Sequence, residues 1–204
     1  GFTHQSPALI SLLLSNPSGL ANCFFPIDDV AAEASMIYML RSEDVVNLNT
    51  FNKIDLPRWI DSHQADQMLH DGGAEVLEFI SDQGEPDYVL TGAGDIVSGE
   101  AIRAIEILRK DLPDKKFRFV NILALSFGKI GLVGKTLSKK KFDELFTGQV
   151  PIIGNFHGYA NDLKAILAEY TDGKRLHVHG YSEQGSTTTP FEMLALNHAS
   201  RYDL

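Results

Sequence analysis

One cysteine, Cys23, stands in a chain of 204 residues. A lone thiol excludes an intramolecular disulfide and every zinc site built on several cysteines. Its setting, "ANCFFPI", reads as an apolar strand, where a thiol is buried and inert rather than nucleophilic. Basic charge is scarce as well: 18 Lys and Arg against 27 Asp and Glu give a formal net charge of −9. Nucleic acid and anionic membrane surfaces both demand a basic footprint, so neither is expected as a partner. No apolar run approaches the ~20 residues of a membrane span, and no signal-peptide pattern is visible. What is present is ordinary for a globular protein, 44% hydrophobic and 22% charged. That length and composition allow one large domain, or one and a half smaller ones, with an ample core. A cytoplasmic enzyme, or a piece of one, is the expectation.

Hydrophobic spacing orders the chain into alternating elements. At the start, "GFTHQSPALISLLL" offers Ser6 as an N-cap and Pro7 at the first helical position, with Leu9, Ile10, Leu13 and Leu14 at helical spacing. Gly1 to Gln5 then form the loop feeding that helix, a common location for catalytic side chains. "ANCFFPI" predicts a strand, 29–41 a helix, and "DVVNLNTF" a second strand. An irregular stretch, "NKIDLPRW", precedes a short helix over Ser62–His70 that ends at Gly72-Gly73. "AEVLEFI" and "YVLTGAGD" read as strands. A helix from about Ser98 to Asp111 places Ile102, Ile105 and Leu108 on one face, and "FRFVNILAL" reads as one buried strand. A helix over Lys139–Phe146, a strand "VPIIGNF", a helix at 160–170 and a strand "RLHVHGY" follow. Thr189-Pro190-Phe191-Glu192 supplies a capping box with proline at N1 for the last helix. Such alternation predicts an α/β fold with an open sheet and right-handed crossovers.

Three patterns suggest chemistry, and each meets a plainer reading. "VLTGAGD" places a Gly-x-Gly bend between strand and helix, where backbone N–H groups can approach a phosphate. The dinucleotide fingerprint fails, because Ile96 stands two residues after Gly94 and no acidic residue ends the next strand. "GKIGLVGKT" has five residues between Gly128 and Gly134 where a phosphate loop has four, so ATPase chemistry is not expected. His177 and His179, in "HVHGY", share one side of a strand, but no third ligand is in sequence reach, and a structural pair is the expectation. In "FHGY", His157 reads as a polar cap at a helix-entry turn. No metal site is expected.

Longer motifs carry a resemblance. "DQGEPDYVLTGAGD…LRKDLPDKKFRFVN", "VPIIGNFHGY" and "LHVHGYSEQGSTTTPFEMLALNHASRYDL" resemble the C-terminal region of phosphoketolases. "GFTHQSPALI" resembles that family's Asn-Gly-Phe-Thr/Ser-His-Gln segment. "NKIDLPRW" matches its Lys-x-x-x-Pro-x-Trp pattern in part: Lys53 and Trp59 keep their spacing while the proline and arginine between them are shifted. "SFGKIGLVGKTLSKK" departs from the family, which carries a longer loop with Pro-His-Gly before Leu-Ser.

The resemblance implies the last quarter or so of such an enzyme. Residues 1–60 would finish a thiamine-enzyme pyrimidine-binding domain, 61–74 would be a linker, and 75–204 would form a transketolase-like C-terminal domain. It implies cleavage of xylulose 5-phosphate, and of fructose 6-phosphate, by inorganic phosphate to acetyl phosphate and an aldose phosphate. The implied cofactors are thiamine diphosphate and Mg²⁺ or Ca²⁺, held mainly by an N-terminal region outside this sequence, so these residues alone would be inactive. It implies His4 as the catalytic histidine, Lys53 as a substrate-phosphate contact, and a homodimer or higher homo-oligomer. Two further readings stay open: a non-catalytic α/β assembly domain, and an independent nucleotide-binding α/β domain that would need an open, amide-lined crevice at residues 92–94.

Overall fold

A computed structural model describes residues 6–182 and 188–204. It contains seven α-helices, a short 3-10 turn (Gly173–Arg175) and ten strands among those residues, the helices and strands in the order α1 (Ala8–Leu14), β1 (Ala21–Phe24), α2 (Asp29–Arg41), β2 (Val46–Asn49), α3 (Ser62–His70), β3 (Ala74–Val76), β4 (Tyr88–Ala93), α4 (Asp95–Asp111), β5 (Phe117–Ile122), β6 (Ala124–Ser126), β7 (Lys129–Leu132), β8 (Lys135–Thr136), α5 (Lys139–Phe146), β9 (Ile152–Tyr159), α6 (Ala160–Ala168), β10 (Leu176–Tyr181) and α7 (Pro190–Leu196). Two five-stranded mixed sheets result, ordered β2-β1-β6-β7-β8 and β10-β9-β4-β5-β3. In the second sheet β10, β9, β4 and β5 run parallel and β3 closes the edge antiparallel.

Helix starts follow local chemistry. Asp28 caps α2 by accepting the Ala31 N–H, Ser138 caps α5, and Asp61 with Gln64, like Thr189 with Glu192, forms a reciprocal capping box. α1 starts one residue later than expected, at Ala8 with Pro7 in the N-cap position and no side-chain cap there, while Ser6 Oγ accepts the Ala8 N–H at 3.3 Å. Strand side chains alternate between two apolar layers. Cys23 and Phe25 enter one layer with α1, α5 and α6, whereas Phe24 enters the other with α2, α3 and α4. Val89 and Leu90 divide in the same way, so both sheets share both cores.

Three further expectations are revised, and one stretch left without a fold takes shape. "FRFVNILAL" is two strands in two sheets, broken at Leu123, whose N–H donates to the Gly73 carbonyl and whose carbonyl accepts the Phe25 N–H. "AEVLEFI" is a strand only to Val76, because Ser81 Oγ and Asp82 Oδ2 then take the Phe119 and Phe117 N–H groups, leaving backbone bonds only from Leu77 and Asp82 to the carbonyls of those two residues. α4 begins at Asp95, directly after Gly94 at φ +120°. "GKIGLVGKT" folds as β-hairpin, its tight turns carrying Gly128 and Gly134 at positive φ. β1 and β2 thus share a sheet with β6, β7 and β8, so residues before 60 and after 75 are hydrogen-bonded to each other.

Candidate functional site

Parallel strands β4, β9 and β10 end side by side, Ala93 opposite Phe156 and Gly180 opposite Phe156 on its other flank. The carboxyl ends of parallel strands are where open α/β sheets form their crevices. Three polar side chains meet at this end. Asp95 opens α4 and is 4% exposed. Its Oδ1 accepts the Ile96 N–H at 2.7 Å, and its Oδ2 accepts the Asn52 N–H at 2.7 Å. His157, on β9, holds its Nδ1 3.9 Å from Asp95 Oδ1, with no hydrogen-bond partner for that nitrogen among the described residues. Its ring meets the Tyr181 ring edge-on at 5.3 Å. Burial pushes the imidazole below its ordinary pKa, against the pull of the Asp95 carboxylate. Burial, with Asp95 adding to it, pushes the Tyr181 phenol up to about 12. The site therefore presents one carboxylate, a neutral imidazole and a neutral phenol.

The segment between Thr50 and Asp61 lies across this end. Its start is held by Asp95 through Asn52. Its end is held by Asp28, whose Oδ2 accepts the Trp59 and Ile60 N–H groups at 2.7 and 3.0 Å while its Oδ1 caps α2. Arg58 pairs with Asp29, and Trp59 stacks on Phe79 at 5.8 Å. Lys53 follows Asn52 and is exposed. Between the segment and α2 lies a cavity of about 590 Å³ whose lining includes Met36, Phe51, Asn52, Ile54 and Asp95. A smaller cavity, about 150 Å³, opens on the other side between Trp59, Arg103, Phe191 and Arg201. Behind it, buried Glu100 accepts three hydrogen bonds from Arg201, through the backbone N–H (2.9 Å), Nε (2.8 Å) and Nη2 (2.6 Å).

Of the two site residues expected from sequence, Lys53 lies on this segment, and His4 lies outside the described residues. Asp95, Asp28 and Tyr181 were not singled out by sequence, since their meeting depends on the sheet register. His157 is not a helix cap: it belongs to β9, and α6 starts at Ala160 with no side-chain cap. His177 is exposed and His179 Nδ1 lies 2.7 Å from the His198 carbonyl. The Gly92–Gly94 bend is not an open cradle. A Cβ on Gly92 would stand 2.3 Å from Ser98 Oγ, and one on Gly94 would stand 2.6 Å from His157 Cβ. Among the described residues no group of three or more His, Cys, Asp or Glu side chains is placed to hold a metal ion. The described residues at this crevice do not fit a diphosphate–metal centre.

The model of the XFP C-terminal domain family matches residues 53–204, beginning at Lys53. The chain belongs to this family, that of the phosphoketolases. A probable phosphoketolase of Schizosaccharomyces pombe is 36% identical over 204 residues, covering 99% of this chain and 24% of that protein. One of Rhodopseudomonas palustris is 35% identical over 205 residues, covering 100% of this chain and 26% of that protein. The chain thus spans about a quarter of the length of these curated relatives. Among solved structures, transketolase from Leishmania mexicana superposes with a TM-score of 0.71 at 14% identity, over 98% of this chain and 26% of that one. A split-gene transketolase described as an inactive beta4 tetramer gives a TM-score of 0.71 at 16% identity, over 98% of this chain and 59% of that one. These neighbours establish a shared fold, the mixed α/β arrangement of the family. No helix among the described residues is long and apolar enough to cross a membrane.

Proposed function

We propose that these residues are the C-terminal part of a phosphoketolase that cleaves xylulose 5-phosphate, and fructose 6-phosphate, with inorganic phosphate. The products are acetyl phosphate, an aldose phosphate and water. The family match over 53–204 is the observation that carries this reading. In it, residues 1–60 end a pyrimidine-binding domain, 61–74 link, and 75–204 form the C-terminal domain. Thiamine diphosphate and a divalent cation, bound elsewhere in the whole protein, supply the carbanion chemistry. Lys53 gives the ammonium that pairs with the unreacting sugar phosphate, supported by its exposure on a segment stapled over the crevice. His4 exchanges a proton with the substrate hydroxyls.

The test uses the full-length enzyme with xylulose 5-phosphate, reading acetyl phosphate formed in the presence and absence of inorganic phosphate. Phosphate-dependent acetyl phosphate is the expected result, and its absence with loaded cofactor overturns the reading. Lys53→Ala should raise KM with little change in kcat, because it removes a contact to a non-reacting group. His4→Asn should lower kcat by ~10²–10⁴-fold. Near-wild-type turnover in that variant removes His4 from the site.

Assembly is a second role for the same chain, compatible with the first. On α2 the side chains of Met36, Ile37 and Leu40 are exposed, Leu40 at 85%, on the helix that borders the larger cavity. In this reading the stripe is covered by the rest of the same protein.

A further inference from the structure

From Thr50 to Asp61 the chain has neither helix nor strand, so side chains fix its course over the crevice. At the far end the fixing residue is Asp28, which also caps a helix and is therefore part of the scaffold. The near end is different. Asn52 donates its N–H to Asp95 Oδ2 at 2.7 Å, and the Asn52 carboxamide oxygen accepts the Ile54 N–H at 2.9 Å. The second bond closes a turn with Lys53 at its apex. Lys53 is thus presented by a turn that the Asp95 carboxylate ties to the α4 end of the sheet, two residues after the Thr50 N–H donates to the Phe24 carbonyl. That carboxylate is 4% exposed and comes from an element 43 residues away in sequence. A hydrogen bond to a buried carboxylate oxygen is among the stronger holds available to a loop amide.

We propose that Asp95 is a positioning residue for Lys53: by holding the Asn52 N–H it fixes the turn that presents the Lys53 ammonium to the sugar phosphate. The proposal rests on the reading of Lys53 as a phosphate contact. A lysine ammonium sits on a long flexible stem, so the position of its Cα limits where it can wait for an anion. Loosening the turn spreads that position, and misplacement of a contacting group by about 1 Å is enough to cost binding. The effect should appear in KM rather than in kcat, because the held group touches a part of the substrate that does not react.

The test is steady-state kinetics of the full-length, cofactor-loaded enzyme with xylulose 5-phosphate, in Asp95→Ala, Asp95→Asn, Lys53→Ala and the double variant Asp95→Ala/Lys53→Ala. Asp95→Ala should raise KM about 10- to 150-fold, the range for a lost hydrogen bond to a charged acceptor, with kcat within about twofold. Asp95→Asn keeps only one of the two oxygens that accept the Asn52 and Ile96 N–H groups, so its KM should fall between those of wild type and Asp95→Ala. In the Lys53→Ala background, Asp95→Ala should add less than about twofold, because the residue it positions is gone. Should Asp95→Ala fail to fold, Asn52→Pro deletes the same hydrogen bond from the donor side together with the carboxamide bond to the Ile54 N–H, and must raise KM at least as much. A raised KM in Lys53→Ala with an unchanged KM in Asp95→Ala overturns the positioning role and leaves the reading of Lys53 standing. An undiminished Asp95→Ala effect in the Lys53→Ala background overturns it as well. An unchanged KM in Lys53→Ala itself overturns both.

Discussion

Glu100 shows what a single carboxylate can do in this molecule. It is buried on α4, and Arg201 delivers three hydrogen bonds to it from the last residues of the chain. Removing the Arg201 guanidinium leaves this buried carboxylate with Arg103, 3.6 Å away, and the Arg201 backbone N–H as its remaining partners, a weaker compensation for a charge in a low-dielectric setting. Arg201→Met should cost about 3 kcal/mol, read in the full-length protein as a lower unfolding midpoint. Faster amide exchange at residues 199–204 should accompany it. An unchanged exchange pattern there would show that the tail is held by other contacts. His157 gives a pH dependence with a definite sign. Burial lowers its folded pKa, and unfolding restores the ordinary value near 6.5. Between those two values the unfolded chain binds more protons, so stability rises with pH. The contribution is complete above about 6.5 and is lost as pH falls through the folded pKa. Asp95 and Tyr181 face the ring and stay in place in a His157→Phe variant. The variant should therefore lose less stability than wild type between pH 7.5 and pH 5, by urea denaturation at each pH. Equal losses would assign the acid sensitivity elsewhere.

Among the elements, those defined by short-range chemistry are legible in the sequence. α3 spans Ser62–His70 as its spacing predicts, and the Thr189–Glu192 box opens α7 where expected. What escapes is set by partners far away. The break at Leu123 exists because the Gly73 carbonyl takes its N–H, and β3 is short because the Ser81 and Asp82 side chains take the Phe119 and Phe117 N–H groups. The candidate site escapes for the same reason. Lys53 is visible as part of a motif, but nothing in "NKIDLPRW" announces that its neighbour reaches Asp95. Glycines illustrate the difference between pattern and packing. Gly92 belongs to a motif that suggests phosphate, yet the space for its missing side chain is filled by Ser98, with Cα at 2.8 Å and Oγ at 2.3 Å from a built Cβ. Gly148 has nothing within 4 Å of the same position. Gly92→Ala should therefore destabilise by about 1–3 kcal/mol, as overpacking does. Gly148→Ala should stay within about 0.5 kcal/mol of wild type. Thermal unfolding of the pair decides, and similar midpoints would mean that the β4–α4 junction yields easily.

At the scale of the whole molecule, two sheets are tied into one body by a single run. Residues 117–126 contribute β5 to one sheet and β6 to the other, with one residue between them. The two apolar layers cross from sheet to sheet, so neither sheet has a core of its own. The body matches the C-terminal domain of its family over 53–204 and spans about a quarter of the length of the curated relatives it matches. The pairing of β1 has a further consequence during synthesis. β1 lies between β2, which follows it closely in the chain, and β6, which comes only after α2, α3, α4 and β5 have been made. Until Ala124–Ser126 leave the ribosome, the edge at Asn22–Phe24 has no strand to pair with. Chains emerge at ~5–20 residues per second, so that edge waits on the order of ten seconds. During that interval Cys23 and Phe24, both fully buried at the end, stand on an open, apolar strand edge, the kind of surface on which nascent chains cross-associate or recruit a chaperone.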